Sequence, residues 1–378
     1  MRQKTSDLRY LYASIILHVR SGTATSRTTL ASTLGISAST VGIYVDQLLA
    51  TGHLTETGLE HGSMGRPKRM LRTSAVPGWF AGVEFTANRV QLTGVDFAGM
   101  AMGAMEIPLP NKPAAPEIQH LIFDALKHMI HEQPLRLLGI GVGAPGLVNT
   151  GTGVCLRFDF IPGWENIPLR DSLYHRFGVP VRVENSLRAI ALAERWFGSH
   201  QKEKDYLIVA ARSGFGIASV QGGQLMHGAN HAAGEIGLWP WETAGEGAAQ
   251  ELHHSLSAPM VYRRLAGLSE TAPVPKDLYT ALFSLAHERG ERWDRVAEDF
   301  GRVLACVQLL LDPRLCLLHG PLTALGEPFC RAIMKAALRI APALNDIPLI
   351  LNCTQLGDEA GALGAASLAM EDWSPNHI

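Results

Sequence analysis

Apolar residues recur at helical spacing through the first fifty positions, with two short polar breaks between them. The pattern predicts helices over residues 6–20, 27–35 and 38–52. Ser26 and Ser37 are suitable N-caps for the second and third helices, and Gly35 ends the second. The turn "GIS" between these two helices has the length that a helix-turn-helix requires. The inward-facing positions are Leu30, Leu34, Val41, Val45, Leu48 and Leu49.

The third predicted helix and the segment after it carry the candidate contacts to DNA. In a helix-turn-helix the third helix enters the major groove, and its early exposed residues face the base edges. The candidates are Ser37, Ser39, Thr40, Ile43 and Tyr44. The segments "HLTETG" and "EHGSMGRPKRMLR" then predict a hairpin, or wing, that carries Arg66, Lys68 and Arg69 to phosphates or the minor groove. The alternative is a small helical interaction domain with a solvated basic loop.

The charge is unevenly distributed along the chain. The net charge is −2, but residues 1–75 hold nine basic and four acidic residues, which gives +5. The remaining residues carry 24 basic and 31 acidic residues, which gives −7. This asymmetry predicts that only the N-terminal segment meets a polyanion.

From Trp79 onward the pattern changes to short apolar strands, glycine turns and helices. "WFAGVEFTANRVQLTGVDFAG" predicts two strands around a turn, "VPVRVEN" a strand that passes into the helix "SLRAIALAERWFG", and "DYLIVAARSGFGIASVQGG" two strands around a glycine loop. Strands mixed with helices indicate an α/β body whose loops beyond the strand ends hold ligands.

Composition and segment lengths narrow the class of protein. The 378 residues suggest two or three domains, and the five cysteines form no CxxC pair, which favours a reducing cytoplasm. No apolar stretch approaches the roughly 20 uncharged residues that a membrane span needs. The first residues are similar to a secretory signal, but Asp7, Arg9 and His18 interrupt the apolar centre and favour a helix of the folded protein.

Seven motifs in order resemble the ROK family of sugar-responsive repressors and sugar kinases. They are "SRTTLASTLGISASTVGIYVDQLLATGHLTE" with "GRP", "GIGVGAPGLV", "IPGWENIPL", "VRVENSLRAIALAERWFG", "HGANHAAGEIG", "LDPRLCLLHGPL" and "LGDEAGALGAASLA". The resemblance implies an α/β fold class: a winged helix-turn-helix over residues 1–75, and a two-lobed, actin-like ATPase (ribonuclease H-like) domain. The small lobe spans 76–190, completed by a C-terminal helix at about 360–378, and the large lobe spans 191–359.

The resemblance also implies that phosphotransfer has been lost. Family kinases place an aspartate base after the asparagine of their "END" motif, where this chain has Ser186. A serine without an adjacent base cannot take a proton near neutral pH. The glycine-rich phosphate loop is replaced by "VEFTANR", in which Phe85 would obstruct the approach of a phosphate to the backbone. We therefore expect no catalytic residue and no cofactor.

The zinc ligands of the family are absent as well. Leu238 follows "GEIG" where the family has histidine, and Glu242, Ala244 and Ala249 stand where cysteines are expected. Structural zinc requires four N or S ligands, so we predict no metal. A rearranged site is the alternative, and its candidate ligands are His227, His231, His253 and His254. Without zinc, the apolar area of "WPW" could hold this loop.

Three polar residues match the sugar-binding set of the family: Asn185, Glu235 of "GEIG" and Glu251. Ionised carboxylates accept paired hydrogen bonds from vicinal hydroxyls, which is how proteins commonly hold sugars. The alternative is that Glu235 forms an ion pair with a neighbour and Asn185 only caps its helix.

The sequence thus predicts a cytoplasmic, sugar-responsive transcriptional regulator, most simply a repressor. Its expected partners are a double-stranded DNA operator, a sugar or sugar-phosphate effector, and further copies of the chain in a homodimer or homotetramer. Three alternatives stay open: a working sugar kinase with an accessory DNA-binding head, a body that has lost its ligand and only dimerises, and a regulator controlled by a protein partner.

Overall fold

The computed structural model describes residues 2–60, 68–110, 113–241, 250–342, 346 and 349–375, without the side chains of residues 2–9, 59, 60 and 68. The chain divides into two compact units, the first formed by residues 1–196 and 359–378 and the second by residues 197–358. The first unit is therefore discontinuous in sequence. No helix in the described ranges combines the length and apolar composition of a membrane span.

Three helices and a hairpin form the N-terminal part of the first unit. Their bounds are α1 Arg2–Arg20, α2 Arg27–Leu34, α3 Ala38–Ala50, β1 Leu54–Glu60 and β2 Lys68–Thr73. The predicted caps are confirmed: Ser26 forms a capping box with Thr29, Gly35 adopts a left-handed conformation after α2, and Ser37 caps α3. Helix α1 begins four residues before the predicted start. The strands β1 and β2 are antiparallel.

The rest of the first unit contains β3 Trp79–Phe85, β4 Arg89–Asp96, β5 Ala101–Pro108, α4 Ala115–Glu132, β6 Leu137–Ala144, β7 Leu147–Asn149, β8 Val154–Arg157, β9 Glu165–Ile167, α5 Leu169–Phe177, β10 Val181–Asn185 and α6 Ser186–Phe197. Five of these strands form a mixed sheet in the order β10-β6-β3-β4-β5. Strand β3 pairs in parallel with β6 and antiparallel with β4, and all seven of its residues are buried.

The last helix of the chain packs directly on this sheet, because two strands present glycine to it. A β carbon on Gly82 of β3 would lie 1.9 Å from the carbonyl oxygen of Ala362, and one on Gly141 of β6 would lie 1.6 Å from that of Ala365. Bare backbone at these positions lets the C-terminal helix Ala360–Glu371 approach the strands closely. The C-terminal helix therefore belongs to the same unit as the N-terminal segment.

The second unit contains β11 Tyr206–Ala211, β12 Phe215–Gln221, β13 Gln224–Leu225, β14 Pro240–Trp241, β15 Gln250–Glu251, α7 His253–Leu256, α8 Ala258–Ala266, α9 Leu278–Leu285, α10 Glu291–Leu311, β16 Leu315–His319, α11 Gly326–Ile340 and β17 Ile350–Cys353. Five of these strands form a sheet in the order β13-β12-β11-β16-β17, with helices packed around it. The core of this unit includes an aromatic cluster of Trp293, Phe300 and Phe329. The helix Ala360–Glu371 of the first unit is α12.

Candidate functional site

The first turn of α3 presents a group of connected hydroxyls to solvent. Ser37 Oγ accepts a hydrogen bond from the Thr40 amide at 3.1 Å and lies 2.8 Å from Ser39 Oγ and 2.7 Å from Thr40 Oγ1. Ser37 and Ser39 are exposed, and so is Ile43, at 62%. Tyr44 is half-buried, edge-on to the Tyr12 ring at 4.9 Å. Hydroxyls on an exposed first turn can exchange their mutual hydrogen bonds for bonds to a partner.

The predicted basic residues of the wing differ in their surroundings. Arg69 is exposed and donates to Glu56 at 2.6 Å, and Glu56 also accepts from Arg27 at 2.9 Å. The hydrogen bond from Arg69 is the largest of the causes that lower the pKa of Glu56. Arg27 also pairs with Asp46 at 2.5 Å. Part of the positive charge counted from the sequence is therefore engaged within the protein.

Two further wing predictions concern residues that are only partly described. Lys68 begins β2, but its side chain lies outside the described residues, and Arg66 lies outside them altogether. Arg72, which the sequence analysis did not select, is exposed on β2 opposite Thr55 and forms no ion pair within the described chain. Nothing in the local sequence distinguishes Arg72 from its basic neighbours, since its exposure follows from the strand pairing.

Arg20, at the end of α1, joins the N-terminal segment to the sheet of the first unit. Its Nε donates to the Phe97 carbonyl at 3.0 Å, and its Nη1 donates to the Met370 carbonyl, in the last turn of α12, at 3.1 Å. The guanidinium also lies 4.5 Å from the centre of the Phe97 ring. Burial of the guanidinium lowers the pKa of Arg20 to about 9, against the influence of Glu371 and Asp96, so Arg20 stays charged at neutral pH.

His53 extends this contact into an aromatic cluster. Its ring lies 5.3 Å from the rings of both Phe97 and Trp373, and those two rings lie 4.7 Å apart. Burial, and secondarily the charge of Arg20, lowers the pKa of His53. Four residues distant in sequence thus form one contact, which we call the head contact: Arg20, His53, Phe97 and Trp373. Sequence patterns gave no signal for it because its members are far apart in the chain.

Asn185 ends β10, and its side chain is held by the backbone around it. Its Oδ1 accepts from the amides of Leu187 at 2.9 Å and Arg188 at 3.3 Å, which caps α6, and its Nδ2 donates to the Gly146 carbonyl at 2.9 Å. The residue is 7% exposed. This is the geometry of the capping alternative, and a sugar hydroxyl would have to share or replace these bonds.

A buried ion pair fixes the strand-to-helix junction next to Asn185. Arg188 donates to Glu184 Oε1 at 3.0 Å, and the same oxygen accepts from the Asn185 amide at 2.7 Å. The two side chains are 2% and 4% exposed. Ser186, which the resemblance predicts to stand where family kinases have their base, begins α6 and is half-buried.

The segment around Glu235 is seated against β12 through its two glycines. A β carbon on Gly234, at φ +92°, would lie 2.0 Å from the Ile217 carbonyl oxygen, and one on Gly237 would lie 2.2 Å from that of Phe215. Only glycine permits this approach at both positions. The two contacts fix the backbone of the half-buried Glu235 on either side.

Glu251 lies on a short ladder that joins the two glutamate-bearing segments. Strands β14 and β15 are antiparallel, with Glu251 opposite Pro240, and the Glu251 side chain is exposed. Trp239 and Trp241 are partly buried against the core of the second unit. Asn185 belongs to the first unit and both glutamates to the second.

His253 holds the glycine loop before β12. Its Nδ1 accepts from the Phe215 amide at 2.9 Å, and β carbons on Gly214 and Gly237 would lie within 2.9 and 2.2 Å of its ring. Burial lowers the pKa of His253, Glu251 opposes that shift, and His254 adds to it. Because Nδ1 accepts the Phe215 amide, the proton of the neutral imidazole lies on Nε2. The described residues contain no group of three side chains suited to a metal ion.

Comparison with known proteins identifies the family to which the α/β body of the chain belongs. The model of the ROK family matches residues 81–372.

The chain belongs to the ROK family.

Among its relatives, the xylose repressor of Bacillus subtilis (strain 168) is 26% identical over 364 residues, which cover 92% of this chain and 91% of that protein. A putative xylose repressor of Caldicellulosiruptor sp. (strain Rt8B.4) is 29% identical over 215 residues, covering 56% of this chain and 54% of the relative. The chain thus spans about half the length of the first curated relatives it matches. Glucokinases are also among the relatives.

A crystal structure of a ROK family transcriptional regulator, a homologue of the E. coli MLC protein, superimposes with a TM-score of 0.76. It is 18% identical in sequence, and the match covers 92% of each chain. The mixed α/β, actin-like ROK fold expected from the sequence is therefore confirmed.

The turn after β3, which the resemblance predicts to replace the phosphate loop of family kinases, is a closed hairpin. Phe85 is fully buried, and its ring lies 4.7 Å from that of Trp164. The Thr86 amide donates to the Arg89 carbonyl at 2.9 Å, and the Asn88 amide donates to Thr86 Oγ1 at 3.2 Å. A phosphate cradle needs backbone amides that point at the ligand, and these two are engaged within the turn.

Proposed function

We propose that this chain is a sugar-responsive transcriptional regulator of the repressor type, acting in the cytoplasm. Residues 1–75 are its winged helix-turn-helix, residues 76–190 with the C-terminal helix are the small lobe, and residues 191–359 are the large lobe. The observation that carries the proposal is a capped helix α3 with an exposed polar first turn, followed by a basic hairpin and joined to a ROK body.

Each structural element of residues 1–75, which we call the head, has a role in this proposal. Helix α3 enters the major groove with Ser37, Ser39, Thr40 and Ile43 toward base edges and Tyr44 at the margin of the contact. Lys68, Arg66 and Arg72 contact phosphates, and Arg69 does so when it exchanges Glu56 for a phosphate oxygen. A homodimer places two heads on a near-palindromic operator with half-sites about 10–10.5 base pairs apart.

The ROK body is the effector module in this proposal, with Glu235, Glu251 and Asn185 as sugar ligands. Relatives that are named xylose repressors make xylose the first sugar to test. The fixed backbone on either side of Glu235 supports this role, because a pre-positioned carboxylate loses little freedom on binding.

We further propose that the body does not transfer phosphate. Ser186 supplies no base next to the sugar, and Phe85 fills the place of a phosphate-binding glycine. Purified protein should therefore release no ADP from ATP with any sugar of a panel, and sugar-dependent release would establish the kinase alternative.

The head contact supports a route from sugar to DNA. Arg20 bonds simultaneously to the carbonyl after β4 and to the end of α12, both of which belong to the body. A sugar-dependent shift of either element would therefore change the position of the head. Coupling free energies of this kind are typically about 1–3 kcal/mol, which is a 5–150-fold change in DNA affinity.

The decisive experiment maps the genomic sites that the protein occupies and then measures binding to the enriched sequence with and without sugars. We expect a near-palindromic motif beside carbohydrate genes and an affinity that one sugar changes at least fivefold. Absence of any enriched motif would overturn the proposal. An operator that no sugar affects would favour a body that only dimerises or binds a protein partner.

A further inference from the structure

A polar cavity of about 310 Å³ lies in the second unit among α7, α8 and the start of α10. This volume is at the lower end of the range for small-molecule pockets, roughly 300–1,000 Å³. None of Asn185, Glu235 and Glu251 lines it. Its charged lining residues are Arg263, Arg264, Arg292, Arg295, Glu270 and Asp299, four basic and two acidic.

A buried ion pair forms one wall of the cavity. Asp299 is 1% exposed, and its Oδ2 accepts from Arg264 Nη2 at 2.5 Å. Arg264 Nη1 also donates to the Ser255 carbonyl at 3.2 Å, which fixes the guanidinium. The second oxygen of Asp299, Oδ1, is buried and accepts no hydrogen bond from the described residues. A buried acceptor without a donor is costly, so a donor group in the cavity would stabilise it.

A glycine makes room for a second arginine. A β carbon on Gly267 would lie 2.2 Å from Arg292 Cζ, so the guanidinium lies directly over bare backbone. Gly267 also ends α8 at φ +67°, a conformation that favours glycine. Within the described ranges, Arg292 forms no ion pair. Its charge is therefore available to an anion in the cavity.

The remaining arginines are partly engaged and surround the same space. Arg263 is anchored by its Nε, which donates to the Ala272 carbonyl at 2.7 Å. Arg295 pairs with Glu291 at 2.5 Å, and both side chains are largely exposed, so this pair is weak. The cavity therefore has an excess of planar guanidinium donors, which match the oxygens of a phosphate.

We propose that this cavity binds a phosphate monoester of a small polyhydroxylated molecule, such as a sugar phosphate. The phosphate lies against Arg292, supported by Arg263 and Arg295, and a ligand hydroxyl donates to Asp299 Oδ1. A ligand of this class supplies both features that the wall lacks, a dianion for the arginines and a donor for the buried carboxylate. The binding itself does not depend on the proposed DNA-binding function.

The test is calorimetric titration of the full-length chain, without DNA, with glucose 6-phosphate, inorganic phosphate and glucose. Glucose 6-phosphate should bind more tightly than inorganic phosphate. Loss of one charged hydrogen-bond donor in Arg292→Ala should weaken its binding by roughly tenfold or more. Arg295→Ala, at an exposed position that keeps the fold intact, should weaken it to a smaller degree. Arg289→Ala removes the same charge from an exposed residue outside the lining and should change nothing.

Several results would overturn the site. One is no binding of the ester at millimolar concentration, and another is unchanged binding in both Arg292→Ala and Arg295→Ala. Inorganic phosphate binding as tightly as the ester would reduce the cavity to an adventitious ion site only. If Glu235→Ala loses ester binding while Arg292→Ala keeps it, the ligand lies among the proposed sugar residues instead.

Discussion

At the scale of single residues, His253 connects two segments of the second unit through one buried ring. Its ring fills the space left by Gly214 and Gly237 and receives the amide of Phe215. A neutral histidine thus connects the loop before β12 to the segment that carries Glu235.

This contact makes the stability of the second unit depend on pH. Burial lowers the pKa of His253 in the folded chain below the usual value of about 6.5, so the unfolded chain binds the proton more readily. The stabilisation is complete above about pH 6.5 and is lost as the pH falls from there through the lowered pKa. In His253→Asn, urea unfolding should therefore show a shallower loss of stability between pH 8 and 5.

The exposed His287 of the same unit supplies the control. His287→Asn should keep the pH profile of the wild-type chain. Identical profiles for wild-type and His253→Asn would contradict the role assigned to the buried ring.

Residues whose roles are local were predictable from sequence, and residues whose roles depend on distant contacts were not. Ser26, Gly35 and Ser37 cap helices through atoms within a few positions, so their patterns were sufficient. The charge of Arg69 was read as available, yet Glu56, on the opposite strand of the hairpin, receives its hydrogen bond. The candidate sugar residues were chosen by resemblance. The bonds by which Asn185 caps α6 are local and agree with the capping alternative, whereas its bond to the Gly146 carbonyl depends on tertiary packing.

At the scale of elements, the proposed function divides DNA binding between the hairpin and α3. Strand β2 carries the basic residues, which recognise phosphate without regard to sequence. Helix α3 carries neutral hydroxyls that can distinguish bases.

Lys68→Ala and Arg72→Ala should each weaken binding to every DNA sequence. Each lost phosphate contact reduces the slope of log affinity against log salt concentration by about 0.9. Fluorescence anisotropy at several salt concentrations measures this slope.

Ser39→Ala is the matched comparison, since it removes no charge. It should leave the slope unchanged and alter which operators are preferred. An unchanged slope in both Lys68→Ala and Arg72→Ala would count against the wing as a phosphate contact.

The head contact allows a separate prediction about regulation. Arg20→Ala removes two hydrogen bonds and the charge over Phe97, but it leaves the buried core of the head, with Ile15, Ile16 and Leu30, unchanged. The variant should still bind the operator, while the sugar-dependent change in affinity should fall toward onefold. Operator titrations with and without the effector test this.

Arg72→Ala serves as the reference, because it lies in the head without touching the head contact. Arg72→Ala should lower operator affinity both with and without the effector, and it should keep the ratio of the two affinities. If Arg20→Ala keeps the wild-type ratio of operator affinities with and without sugar, the signal takes another route.

At the scale of the whole molecule, sugar binding should appear as stabilisation of the folded chain. A ligand at a hundred times its Kd adds about 2.7 kcal/mol, which raises the melting temperature by several degrees. Thermal unfolding with a library of sugars should therefore show a shift with one sugar and none in Glu235→Ala.

Glu288→Ala, which alters an exposed glutamate of the same unit, should keep the shift. If no sugar stabilises the wild-type chain, the body has no carbohydrate ligand in that library, and dimerisation becomes its main role.

The discontinuity of the first unit has a consequence for biosynthesis. Its sheet is covered by α12, which fits only against the bare backbone of Gly82 and Gly141, and α12 is synthesised after the whole of the second unit. During translation the head can fold early, but the surface that Arg20 contacts is completed only once the second unit and α12 have been made. A polypeptide that stops before α12 would therefore carry a folded head that lacks the hydrogen bond from Arg20 to Met370 and the contact of His53 with Trp373.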